Sequence, residues 1–85
     1  MKEVEVGKAT HYFSHLSVAA IELSGSLRVG DKVHIKGHTT DFFQEVESMQ
    51  IEHQSVSEAK AGDSIGLKVR EKVREGDTVY KVVEE

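Results

Sequence analysis

The chain has 85 residues, enough for a single domain spanning 1–85 and too few for the walls of a multidomain enzyme. With 38% hydrophobic and 31% charged residues and a net charge of −4, it has a globular composition, which excludes a disordered polyelectrolyte and speaks against a dedicated non-specific binder of nucleic acid. Cys 0 excludes disulfides, cysteine zinc sites and a thiol nucleophile; no apolar run reaches the roughly 18 residues of a membrane span, so the expected address is cytoplasmic, with no signal peptide and no membrane partner.

Apolar residues recur with period two, the signature of half-buried strands. In chain order, strands are predicted at 3–12, 17–23, 32–36, 43–53, 64–70 and 77–83. Val4 and Val6 alternate with acids in the first; Ala19, Ile21 and Leu23 line one side of the second; Val33 and Ile35 do the same in the third. In the fourth the phase slips between Val46 and Met49, which predicts a β-bulge near Glu47 and Ser48. Residues 55–61 are the one stretch with helical leanings and are expected to form at most a single helical turn.

With Pro 0, the breaks fall to glycine and small polar residues. One pattern occurs three times: Val29-Gly30-Asp31, Ala61-Gly62-Asp63 and Glu75-Gly76-Asp77, each ahead of a predicted strand. Glycine takes the positive φ of a tight turn, and the Asp carboxylate bonds nearby backbone N–H groups. The fold expected from these features is all-β, a small closed antiparallel six-stranded barrel, because an open sheet of this size leaves edges free to aggregate. Its predicted core is Val6, Ile21, Leu23, Val33, Ile35, Val46, Met49, Ile51, Ile65, Leu67 and Val79.

Four segments, Leu27 to Gly37, Val46 to Met49, Ala59 to Val69 and Arg74 to Val79, together resemble the second domain of the translation elongation factors. The resemblance covers nearly the whole chain and implies a β-barrel of translation-protein type; similar barrels end some collagenase-like peptidases. It also implies a freestanding, non-catalytic module of protein biosynthesis that contacts transfer RNA or a ribosomal component. In the factors this barrel works beside a GTPase domain, which this sequence lacks. Gly25 to Asp31 has phosphate-loop glycine spacing but Asp31 where lysine is needed, so no GTP binding is expected of this chain alone. The family's Gly-Arg-Gly run ahead of the second strand is replaced by His15-Leu16-Ser17, so no binding residue carries over.

Read from the residues alone, no enzyme, metal site or cofactor is expected. His11 and His15, and His34 and His38, are four apart, but on a strand that spacing separates them by roughly 13 Å. Ser14 and His15 point to opposite faces of a strand and lack a nucleophile elbow. Lys68, Arg70, Lys72 and Arg74 alternate and share one side of an extended chain; with Glu71 they carry a net +3, whereas the rest, from a total of −4, carries −7. They are the candidate phosphate contacts of an RNA-binding stripe. Phe13 and Phe42, each adjacent to a second aromatic, are the candidate base-stacking residues. The alternative is a protein-interaction adaptor that uses these aromatics, or a strand edge, to hold a protein partner without any role for RNA.

Overall fold

A computed structural model describes residues 2–84. Its regular elements are strands alone: β1 (Lys2–Phe13), β2 (Val18–Leu23), β3 (Leu27–Arg28), β4 (Lys32–Lys36), β5 (Asp41–Glu45), β6 (Met49–Ile51), β7 (Gln54–Val56), β8 (Glu58–Ala59), β9 (Ser64–Lys68) and β10 (Thr78–Val83). The all-β expectation is met. The six-stranded closed ladder is not: eight strands form one antiparallel sheet in the order β5-β4-β10-β1-β2-β9-β6-β7, and β3 pairs with β8 as a separate ribbon.

The difference arises where a single strand over 43–53 was predicted. The chain leaves the ladder at Val46 to Ser48 and resumes it as β6, so the phase slip is a full break between two strands. Val46 is anchored on the β4 side, its N–H donating to Asp31 O at 2.8 Å and its carbonyl accepting from Gly30 N–H at 2.9 Å. Met49 then pairs with Leu67 of β9. One short segment thus runs from the edge strand at one end of the sheet to the strand next to its other end. The sheet curls on itself, with its ends tied by the backbone and no ladder joining β5 to β7. Beside β5 the gap is bridged by a side chain: buried Gln44 donates from Nε2 to Lys68 O and accepts from Arg70 N–H through Oε1, both at 2.8 Å.

The helical turn predicted within 55–61 is absent; Ser55 and Val56 belong to β7, and Glu58 and Ala59 to β8. A two-residue loop, Glu52 and His53, joins β6 to β7, and both take positive φ, 51° and 67°. That pair of angles gives the turn a twist matching the flanking strands, so a hairpin wins over a helix too short to stabilise itself. Ala59 is then buried opposite Leu27.

All three Gly-Asp turns share one geometry. Gly30, Gly62 and Gly76 have φ of 98°, 95° and 93°, as the third position of a type II turn requires. The Asp N–H donates to the carbonyl three residues back, and the Asp carboxylate accepts from the N–H of that same residue: Arg28 at 2.9 Å, Lys60 at 2.9 Å and Arg74 at 2.8 Å. Each turn therefore carries its own second hydrogen bond and delivers the chain to β4, β9 or β10. Gly37 is needed for a different reason: a Cβ there would run into the carboxylate of buried Asp77.

The predicted core is buried, apart from Ile51, which is half-buried and packs against it. Ala9, Ala19, Leu27, Phe42, Ala59, Val69 and Val73, outside the predicted list, join it.

Candidate functional site

Two clefts flank the tip of the β1–β2 hairpin. Here the chain turns through Ser14 to Ser17, with Leu16 N–H donating to Phe13 O at 3.1 Å and Ser17 in the left-handed region at φ 55°. The tip leaves Phe13 39% and Leu16 52% exposed. Together with Val18, Ala20, Ile65 and Gly66 they line an apolar cleft of about 360 Å³, rimmed by Glu52 and His53 of the β6–β7 turn. Both rims are therefore turns holding non-glycine residues at positive φ, a conformation tolerated only where surrounding structure enforces it. The second cleft, about 530 Å³, lies between His11, Tyr12 and Ser14 on one side and Lys72 to Glu75 on the other.

The four predicted basic residues are all exposed but do not form a stripe. The strand ends at Lys68, not at residue 70, and the chain bends at Arg70 and Glu71, where a straight strand was assumed. Lys68 Nζ donates to Leu16 O at 3.3 Å and thereby secures the hairpin tip. Arg70 Nη2 bonds Glu47 Oε1 at 2.7 Å, and this bond, with the glutamate's charge, raises the guanidinium pKa further. Lys72 and Arg74 line the polar cleft.

The aromatic pairs divide as adjacent strand residues must. Phe13 is exposed and touches His11 edge-on, with ring centroids 4.4 Å apart. Phe42 is core, so it is Phe43, not Phe42, that presents a ring outward from β5. That ring lies on His34, centroids 4.0 Å apart and planes 14° from parallel, with Lys32 Nζ 5.6 Å from its centroid.

His34 is the functional-looking residue that the sequence reading missed. It is buried on β4 with both ring nitrogens on carboxylates: Nδ1 2.7 Å from Glu3 Oε1 and Nε2 2.5 Å from Asp41 Oδ1. No sequence spacing signals this, because Glu3 reaches it from β1 across β10. Burial pulls the imidazole pKa down, but the hydrogen bonds to Asp41 and Glu3 and the charges of both acids outweigh it, leaving the pKa raised above 6.5. A raised folded-state pKa gives stability that is complete below 6.5 and is lost as pH climbs through the folded value. The urea midpoint should therefore fall as pH rises from about 6 to above the folded pKa, and His34→Gln should flatten that slope; an unchanged slope in the variant would remove His34 as its source.

The comparisons bear on what these clefts serve. A family model for elongation factor Tu domain 2 matches residues 21–80. Over 98% of its length the chain is 43% identical to an uncharacterised protease of Methanocaldococcus jannaschii, of which it covers 21%. Over 94% it is 43% identical to a collagenase of Porphyromonas gingivalis, of which it covers 20%. It thus spans about a fifth of the length of these curated relatives. In fold it resembles the C-terminal domain of a candidate U32 peptidase of Geobacillus thermoleovorans, with a TM-score of 0.86 and 20% identity over 92% of this chain and 91% of that one. These relatives overturn the expected RNA-contacting translation module: proteins matching almost the full chain are named as protease and collagenase, and a freestanding elongation-factor relative gives way to a likeness to a peptidase's C-terminal domain. The physical side agrees, since two of the four basic residues that motivated RNA are already engaged within the chain.

Proposed function

The chain belongs to the elongation factor Tu domain 2 family, and from that premise, joined to its near-complete likeness to a fifth of protease and collagenase chains, we propose that it is a non-catalytic polypeptide-docking module of peptidase-type proteins. The observation that carries this reading is the apolar cleft under Phe13 and Leu16, two large side chains held in water by a hairpin tip whose backbone is pinned by Lys68. Exposed apolar surface framed by polar rims suits a protein ligand, and the relatives named collagenase suggest an extended, unfolded polypeptide as its class. The ring of Phe13 supplies contact area with few rotatable bonds, and Gly66 on the cleft wall adds no side chain to obstruct entry.

Fluorescence anisotropy of labelled gelatin titrated with the 85-residue chain tests this. Binding is expected to be weak, on the order of micromolar to millimolar for a single small cleft, and to survive added salt because the contact is apolar. Phe13→Ala with Leu16→Ala should weaken it about tenfold or more, as loss of a buried aromatic and an aliphatic anchor does. Absence of binding to gelatin, or equal binding by the double variant, would overturn the docking role.

A further inference from the structure

We propose that the second cleft at the hairpin tip is a carboxylate-binding site, in which Lys72 and Arg74 meet the anion and the hydroxyls of Ser14 and Tyr12 form the facing wall. The inference rests on the docking reading for the source of the ligand, a polypeptide, but not for the charge of the site.

The first support is the state of the arginines. The chain has three, and two are held by glutamates: Arg28 Nε lies 3.2 Å from Glu58 Oε2, and Arg70 Nη2 lies 2.7 Å from Glu47 Oε1. Among the described residues Arg74 has no carboxylate within ion-pair distance, nor does Lys72, although the protein has more acids than bases. Each has side-chain donors left over for a ligand.

The second support is positioning. The backbone of Arg74 is fixed by its own turn, its N–H donating to Asp77 Oδ2 at 2.8 Å and its carbonyl accepting from Asp77 N–H at 3.0 Å. Val73, between the two cations, is buried, which anchors the segment while Lys72 and Arg74 stay exposed at the cleft. A planar guanidinium offers paired donors that match the two oxygens of a carboxylate, and a lysine adds a point charge.

The third is charge matching, which selects a carboxylate over a polyphosphate. Glu75 also lines the cleft, so its formal charge is +1 with His11 neutral, the complement of one monoanion. A nucleic-acid strand would have to lay successive phosphates along a chain whose net charge is −4, whereas a single carboxylate needs only this pocket. The carboxylate can be a chain terminus or an acidic side chain; the chemistry of recognition is shared.

Amide chemical-shift titration of the 15N-labelled chain decides between them, using three short peptides of one sequence: one with a free C-terminal carboxylate, its C-terminally amidated twin, and an amidated version carrying a single Asp. Shifts are expected at Ser14, Lys72 and Arg74 with the free-terminus peptide, the Asp peptide or both, and an affinity at least tenfold lower for the amidated twin without Asp. Lys72→Gln with Arg74→Gln should abolish the difference between charged and neutral peptides while leaving the thermal midpoint unchanged, since both residues are exposed. Equal shifts by all three peptides, or none at these residues, would overturn the site, as would tighter saturation of the same residues by a short RNA oligomer. Gelatin binding that persists while these arms fail sinks only the carboxylate site; carboxylate binding that persists without gelatin binding sinks only the docking reading.

Discussion

Replacing Leu67 with alanine should lower the unfolding free energy by about 2–5 kcal/mol, the range for deleting a buried leucine that leaves a cavity. Leu67 is fully buried on β9, paired with Ala19 of β2 on one side and Met49 of β6 on the other. The alanine cannot reach into the space, and the methionine is the only one of these two neighbours with the flexibility to fill part of it. Small domains hold roughly 5–15 kcal/mol in total, so the loss should appear as a large drop in the urea midpoint with little change in slope. Leu67→Met, which conserves volume, should cost less than about 1.5 kcal/mol. An alanine variant within about 1 kcal/mol of the parent would show that this position is not central to the core.

Gln44→Leu should also destabilise strongly, by about 1–3 kcal/mol for each of two orphaned groups. The side chain is buried and is the bridge beside β5, serving the carbonyl of Lys68 and the N–H of Arg70 together. Leucine fills a similar volume and leaves both backbone groups without a partner. Gln44→Glu separates the two contributions: it can still accept from Arg70 N–H, but it places a carboxylate against the Lys68 carbonyl and buries a charge. Amide hydrogen exchange at Arg70 should accelerate in the leucine variant by more than the global loss of stability explains. If exchange there tracks only global unfolding, the bridge contributes nothing local.

The chemistry of the hairpin tip was only partly legible in advance. That Phe13 belongs to an aromatic pair with one ring outward follows from the alternation of strand side chains. Which of Phe42 and Phe43 turns inward depends on the register of β5 against β4, where Phe42 opposes Ile35 and Phe43 opposes His34. The alternating basic residues were visible too, but their common side was an assumption about a strand that stops at Lys68. Glu47, which pairs with Arg70, lies 23 positions away, and no local pattern announces such a partner.

The local half of this protein is written along the chain: the period-two pattern, the core residues that follow it, and three type II turns whose glycine and aspartate need nothing beyond their own four residues. Tertiary structure decided everything that requires two distant segments to meet. It broke the fourth predicted strand at Val46 to Ser48, because that chain must pair with β4 in its first half and with β9 in its second. It turned residues 54–56 and 58–59 into strands, with Ala59 buried opposite Leu27. It also placed His34 between Glu3 and Asp41, because β10 brings β1 and β4 to its two sides. Turns depend on φ, ψ and near neighbours, whereas strand pairing and buried charge depend on where the rest of the chain lies, and one-dimensional periodicity carries no record of that.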